Sequence, residues 1–561
     1  MSMSLSSQEA DQKAYDVEEK GGTGETGAEV VSAHDGIHRL SGPLGWLWKI
    51  AQKLDSFGVE VRGVERVPEN ERHHTSVYDA GYLWCSANMT ISTFSLGTLS
   101  NSIFYMGATD ACLTILFFNL LTTLPVALFS CWGKSTGLRQ MMIGRFSFGP
   151  WAIFFPIILN CIACVGWSTI NTIVGASALR AVSDYNQLPE PAGIVIIAII
   201  TLAVSLCKSC SRIPRLTSLG YKYVHAIERY SSIPVFIIFI IMLGQAGRFM
   251  ESGYGGVGQA EAANVLSFGG TIAGFALGWT SLAADYTVNF PADTPDWKVF
   301  FSTYLGLNFP LIVIEALGAL MMSTFANKPT WEDAYNDKGL GGLLGAPLIG
   351  PMGGFGRFLL VILAISIIAN NVSNRICNAL RHMADETCDD QIPNVYSFAL
   401  TFQAFGKWMQ LIPRFFLCIV CTVIYIILAL TGYHSFESWF DTLLVILSCQ
   451  LFSHSENWLA IYSVILMEEH FIFRKGSFKN YDLEGYNVYK HLPLGIAAGI
   501  ATGFGVMGAV LGMAQTWYVG VIGKLVGDPA YGADMGFELA GAFAAVTYPP
   551  LRYLERRWSG R

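Results

Sequence analysis

The sequence predicts an all-α integral membrane protein. Twelve transmembrane helices are expected, arranged as a 5+5 inverted repeat followed by two C-terminal helices, with helices 1 and 6 discontinuous. Three observations predict this. Of the 561 residues, 52% are apolar, 13% aromatic and only 14% charged, where a soluble protein carries about a quarter charged residues. Apolar runs approach or reach the roughly 20 residues that a bilayer requires, among them CLTILFFNLLTTLPVALFSCW (112–132) and FFLCIVCTVIYIILALTG (415–432). Two spans lying five apart, SANMTISTFSLGTLS (86–100) and FGGTIAGFALGWTSLAADYT (268–287), carry Gly, Ser and Thr where a plain span has Leu and Ile. Interrupted segments at matching positions of two halves point to an inverted repeat, and irregular backbone at membrane depth is tolerated where it lines a cavity.

Taken in order, the chain begins with a polar segment. SSQEADQKAYDVEEKGGTGETGAEVVSAHD (6–35) is rich in Glu, Gly and Ser and cannot bury enough apolar surface to fold alone. Residues 1–75 are therefore expected to be a disordered cytoplasmic tail, whose Lys13 and Lys20 are candidate targets for ubiquitination machinery. Spans follow at roughly 80–104, 109–132, 151–179, 192–209, 232–249, 265–286, 299–325, 355–380, 410–432, 438–468, 493–516 and 536–553. Residues 76–470 make the transport core of helices 1–10, 471–553 a cytoplasmic loop with helices 11 and 12, and 554–561 a short cytoplasmic tail.

Orientation follows from the basic residues, which accumulate in cytoplasmic loops. Lys134, Arg139 and Arg145 follow span 2, and Lys208, Arg212, Arg215, Lys222 and Arg229 follow span 4. Arg474, Lys475, Lys479 and Lys490 follow span 10, and Arg552, Arg556, Arg557 and Arg561 close the chain. Both termini are expected in the cytoplasm.

The twelve cysteines include the pairs CIAC (161–164), CKSC (207–210) and CIVC (418–421). Two of these sit in apolar helix, where Cys behaves as a small hydrophobe, and no pair has a second one at zinc-ribbon spacing. No metal site is expected. The glycosylation patterns at Asn88 and Asn371 fall inside spans and are set aside.

Polar side chains at membrane depth need a reason. Trp167 and Asn171 in span 3 are one helical turn apart and share a face. Span 6 holds Trp279, Thr280 and Ser281, span 8 holds Asn370, Asn371 and Asn374, and span 7 holds Glu315. Singly, each could glue helices at roughly 0.6 kcal/mol per contact. Together they describe a site for a flat aromatic ligand, stacked between two indoles with its edge bonded by carboxamides.

These residues also carry a resemblance. SANMTISTFSLGTL, GLRQMMIGRFSFG (137–149), ACVGWSTINT (163–172), LSFGGTIAGFALGWTSLAADYT, SIIANNVSN (366–374), EEHFIFR (468–474), HLPLGIA (491–497) and YGADMGFELAG (531–541) resemble the fungal purine–cytosine permeases of the nucleobase–cation symporter family. The resemblance implies a LeuT-like fold in the plasma membrane and import of purine bases and cytosine by proton symport. It implies substrate contacts at Trp167, Asn171, Trp279 and Asn374, with a hydroxyl of span 1, Ser92 or Thr93, nearby. Thr280 and Asn371 complete the candidate set.

Two departures stand out. The family usually reads NNxPN in span 8, and this chain has Ser373 in place of proline with Arg375 directly after Asn374. A cation there either faces the ligand and shifts its class, or snorkels to the interface. In span 10, CQLFSHSEN (449–457) is longer than expected and introduces His454 and Glu456, as a relay or as a bulge or insertion.

No cofactor is expected beyond a proton as coupling ion. The proton is preferred to sodium because AISIIANN in span 8 offers only Ser366 as a hydroxyl ligand. Glu315 is the leading proton acceptor, with helix packing against a neighbouring hydroxyl as its alternative. The partners implied are a small nucleobase and the lipid bilayer, with no nucleic acid. Other readings are transport of another small ring solute (a pyridoxine-like vitamin, an allantoin-like ureide or a uracil derivative) or a non-transporting nutrient receptor. No span presents a nucleophile with paired catalytic groups, so an enzyme is not expected.

Overall fold

Span 1 divides where its sequence is richest in small and hydroxylated residues. Helix α1 (Tyr78–Asn88) ends at Met89, Thr90 is extended, and α2 (Ile91–Ser102) starts directly after it. The computed structural model describes residues 64–72, 76–207, 232–371, 394–410, 412, 414–433, 455–515, 518–527 and 532–561, all within the unit Leu47–Arg561. Residues 1–63 and 73–75 of the tail, Ser373, Asn374, Arg375 and His454 lie outside these residues, as do the side chains of Asn370, Asn371 and Glu456.

Apart from one bridge between Ala514 and Val519, the regular elements among the described residues are helical. After α2 come α3 (Ala108–Thr136), α4 (Gln140–Ala152), α5 (Phe154–Arg180), α6 (Glu190–Cys207), α7 (Ser232–Ala246) and α8 (Gln259–Leu277). Then follow α9 (Asp296–Met322), α10 (Pro329–Met352), α11 (Gly354–Asn371), α12 (Asn394–Gln403), α13 (Arg414–Gly432), α14 (Ser455–Glu468), α15 (Ile496–Gly512) and α16 (Gly536–Ser559). Among the described residues, six helices are long and apolar enough to cross a membrane. Two stretches largely between predicted spans, 140–152 and 329–352, are helical as well, each kinked at a glycine with positive φ, Gly149 and Gly339.

The long helices are apolar outside and polar inside, the arrangement a lipid solvent favours. On α3, Phe117, Leu121 and Leu124 are exposed while Asn119, Thr123, Ser130 and Lys134 are buried. On α9, Phe301, Leu305, Phe309 and Val313 face outward, with Thr303, Asn308 and Glu315 inward. The two inward faces meet as an antiparallel ladder. Asn119 Nδ2 donates to Glu315 Oε2 at 2.7 Å, Asn308 Nδ2 to Thr123 Oγ1 at 2.7 Å, and Ser130 Oγ to Thr303 Oγ1 at 3.0 Å. Lys134 Nζ pairs with Asp296 Oδ1 at 2.6 Å at the end.

Helix α9 also lies along both halves of span 1. A Cβ built on Gly306 would meet the Gly81 carbonyl oxygen at 2.2 Å, and one on Gly318 would meet the Phe94 carbonyl oxygen at 2.1 Å. The absence of side chains lets the backbones approach, as in small-xxx-small packing.

A helical extension ties the C-terminal pair to span 10. Past α14, the π-turn Glu469–Phe473 buries Glu469, which accepts from Arg552 Nε and Nη2 at 2.9 and 3.2 Å and from the Tyr548 hydroxyl at 2.9 Å. Arg474 Nε adds a further bond at 3.0 Å.

Candidate functional site

On α5, Asn160, Cys164, Trp167 and Asn171 recur at spacings of four, three and four residues, which puts them in one helical stripe. Span 6 faces that stripe and loses its regular helix there. After Leu277, α8 gives way to the 3-10 turns Gly278–Ser281 and Ala283–Tyr286. A cavity between them is lined by Asn160, Cys164, Trp167, Phe275, Trp279 and Trp458, with Asn394 and small or aliphatic residues completing it.

The two predicted indoles, Trp167 and Trp279, thus line one cavity. Trp167 packs edge-on to Phe275, ring centroids 5.0 Å apart, and Trp279 packs edge-on to Trp84 at 5.3 Å. The Trp279 indole N–H donates to Asn88 Oδ1 at 3.1 Å. Asn88 in turn closes α1, its amide donating to Trp84 O at 2.9 Å. The break in span 1 therefore fixes the Trp279 ring through Asn88.

Asn171 and Ser92 meet each other: Ser92 Oγ donates to Asn171 Oδ1 at 2.5 Å, and Asn171 is buried rather than among the cavity-lining side chains. Thr93 and Thr280 serve the backbone, donating to Asn88 O and Leu277 O, each at 2.6 Å. Ser281 donates to Asn160 Oδ1 at 2.6 Å, and Asn160 Nδ2 donates to Thr401 Oγ1 at 2.8 Å. This relay joins span 6, α5 and α12. Asn371 and Asn374 enter no described contact, for the reason given above. Glu315 lies on the α9 side of α2, away from the cavity lining, with its backbone against Gly97.

Sequence reasoning passed over Asn160, Asn88, Phe275, Trp458 and Asn394. Asn160 carried a signal, since it extends the Trp167 and Asn171 stripe by two turns. Asn88 carried none, because a helix-terminal amide is a common cap.

Among the described residues, no charged side chain lines the cavity. Burying a charge without a partner is costly, whereas a neutral ring with polar edges can use indole faces and amide groups. Among the described residues, no group of His, Cys, Asp and Glu could hold a metal ion.

One end of the site is latched. Gln140 N–H donates to Asp285 Oδ1 at 2.6 Å, and Ala284 N–H donates back to Gln140 Oε1 at 3.2 Å. Asp285 thereby caps α4, whose own N-cap residue, Arg139, makes no side-chain cap bond.

Residues 66–387 match the protein family described as permease for cytosine/purines, uracil, thiamine and allantoin. A purine-cytosine permease of Emericella nidulans is 43% identical over 517 residues, covering 91% of this chain and 92% of that protein. A purine-cytosine permease of Saccharomyces cerevisiae is 36% identical over 524 residues, covering 92% and 90%. The fold matches Mhp1, a nucleobase-cation-symport-1 family transporter in a closed conformation with bromovinylhydantoin bound, with a TM-score of 0.56 at 13% identity over 89% of this chain and 95% of that one.

Proposed function

Because the chain belongs to the fungal nucleobase–cation symporter family, a family of multi-pass membrane transporters, we propose that it imports purine bases and cytosine with protons by alternating access at the plasma membrane. The observation that carries this reading is the cavity bounded by Trp167 and Trp279, whose described lining is uncharged and includes the amides of Asn160 and Asn394. A purine or cytosine is flat, neutral and edged with donors and acceptors, so it can satisfy both the faces and the edges of such a site. A solute lacking those edge groups forgoes the further hydrogen bonds these amides can make, which discriminates against it.

Alternating access needs the two states to bind base and proton with different affinity. Ser92 and Asn171 belong to two helices, α2 and α5, and their bond reports how close these helices stand. A second reading, another small ring solute, is favoured by Arg375, a cation beside Asn374 that no plain nucleobase requires.

The test is uptake of labelled adenine and cytosine in cells lacking their own permeases, with and without a proton uncoupler. Uncoupler-sensitive uptake that Trp167→Ala and Trp279→Ala each reduce at least tenfold is the expected result. Failure of the wild type to take up either base, with uptake gained in Arg375→Met, would move the substrate to the second reading.

A further inference from the structure

The contact between Asn119 on α3 and Glu315 on α9 is half of a cyclic pair. Both side chains are fully buried. The two amide hydrogens of Asn119 are committed, one to Ile115 O at 2.9 Å and one to Glu315 Oε2 at 2.7 Å. The remaining oxygens of the two groups, Asn119 Oδ1 and Glu315 Oε1, are buried without a hydrogen-bond partner. An ionised carboxylate and an amide carbonyl are both acceptors only, so neither can satisfy the other. One proton on Glu315 Oε1 changes this, because the acid O–H then donates to Asn119 Oδ1 and closes the ring.

Resting on the symport reading above, we propose that Glu315 and Asn119 form the proton-binding site of this transporter. Glu315 carries the proton and Asn119 positions it. The proton arrives from the outside, binds a lone pair of Oε1, and leaves from the same oxygen to the cytoplasm; no other bond forms or breaks. The charged form leaves two acceptors buried between α3 and α9 without a donor, and the neutral form leaves none.

Among the described residues, the charged side chains of the surrounding helices stand at helix ends, including Glu261 in the first turn of α8, which packs against α3. Helices α2 and α7 have no charged residue, and the only ones on α3 are Asp110 and Lys134 at its two ends. On α9, Asp296 and Lys298 stand at the far end, about five turns from Glu315. The α1 helix carries Asp79 in its first turn. Glu315 touches α2 through its backbone, where a Cβ on Gly97 would stand 1.8 Å from the Glu315 carbonyl oxygen. Ser92, five residues earlier on the same helix, bonds Asn171. Proton occupancy on one side of α2 and the Ser92–Asn171 contact on the other therefore act on a single short helix. The Thr123–Asn308 and Ser130–Thr303 bonds continue the polar interface toward Asp296, whose side chain is 73% exposed.

The experiment uses the full chain in proteoliposomes with labelled adenine, an imposed inside-alkaline gradient and an uncoupler control. In Glu315→Gln the amide donates to Asn119 Oδ1 as the protonated acid does. Gradient-driven accumulation is expected to fall at least tenfold while exchange of labelled for unlabelled adenine continues, with a KM no longer dependent on pH. In Asn119→Ala the pH of half-maximal uptake is expected to move by about one unit, the worth of one strong hydrogen bond. Normal accumulation by Glu315→Gln overturns the proposal. An unmoved pH midpoint in Asn119→Ala overturns it too, because a merely structural amide would lower uptake alike at every pH. That second measurement decides the matter if Glu315→Gln loses exchange as well. A wild type without gradient-driven uptake overturns the symport reading and this site with it.

Discussion

Ser92 and Asn171 are joined by a 2.5 Å hydrogen bond that links the second half of span 1 to the middle of span 3. Removing either partner takes this buried hydrogen bond from the other. Ser92→Ala is expected to weaken adenine uptake about five- to tenfold in KM, and Asn171→Ala more, since a buried unsatisfied group costs about 1–3 kcal/mol. The double variant is expected to lose less than the product of the single losses. Strict multiplicativity in a double-mutant cycle on KM would show the two side chains to be uncoupled.

The Ser281–Asn160–Thr401 relay holds one wall of the cavity. Asn160→Ala cuts it at the centre and leaves two hydroxyls without their shared partner. The expected outcome is a KM for cytosine raised at least tenfold with little change in surface abundance. Fluorescent tagging alongside uptake assays separates the two, and an unchanged KM would count against a role for this wall in binding.

Gly97 cannot accept a side chain where it faces Glu315. Gly97→Ala forces α2 and α9 apart, and overpacking of this kind costs about 1–3 kcal/mol. A melting temperature lowered by several degrees in detergent is expected. Gly270→Ala, where an added Cβ meets nothing within 4 Å, serves as the control and is expected to leave it unmoved.

The Glu469–Arg552 pair is fully buried. Arg552→Ala leaves Glu469 with only Arg474 as a basic partner, and breaking a buried pair costs about 3–5 kcal/mol. Loss of the monodisperse peak in size-exclusion chromatography is the expected readout. Acidification probes the same pair. Burial pushes the Glu469 carboxyl up, but the hydrogen bond and charge of Arg552, with the charge of Arg474, outweigh this and hold it below its ordinary value of 4.5. A depressed carboxyl stabilises the fold above its unfolded value, and that contribution is lost as pH falls through the folded value. Thermal stability is therefore expected to drop below about pH 4.5, and by less in Glu469→Gln.

Much of the architecture is written in the apolar runs, because lipid demands a contiguous length that composition reports directly. The helices between spans are less legible. Residues 140–152 contain Arg145, which reads as loop, yet Arg145 is buried and donates to Ala404 O at 2.6 Å and Asn487 Oδ1 at 2.8 Å. Periodicity brings Trp167 and Asn171 to one face, and the Gly-rich character of span 6 marks where Trp279 leaves regular helix. The partners of these groups are tertiary. Nothing in FFNLL foretells that Asn119 meets Glu315, 196 positions later, since helix pairing is set by side-chain shape across the bundle rather than by local sequence. Asn160 could have been found by following the α5 stripe two turns further toward the N-terminus, past Cys164.

The break at Met89 and Thr90 has a mechanical meaning that follows from its neighbour. A severed helix is ordinarily the natural place for a bend. Here α9 runs unbroken alongside both pieces, seated on Gly81 below the break and on Phe94 and Gly97 above it. It acts as a splint. The two halves of span 1 cannot fold about the gap without sliding along α9, against interlocked backbone that leaves no slack for a methyl group. Motion that opens the cavity must then carry α1, α2 and α9 as one lever, with the slip plane falling where α2 meets α5 at Ser92 and Asn171.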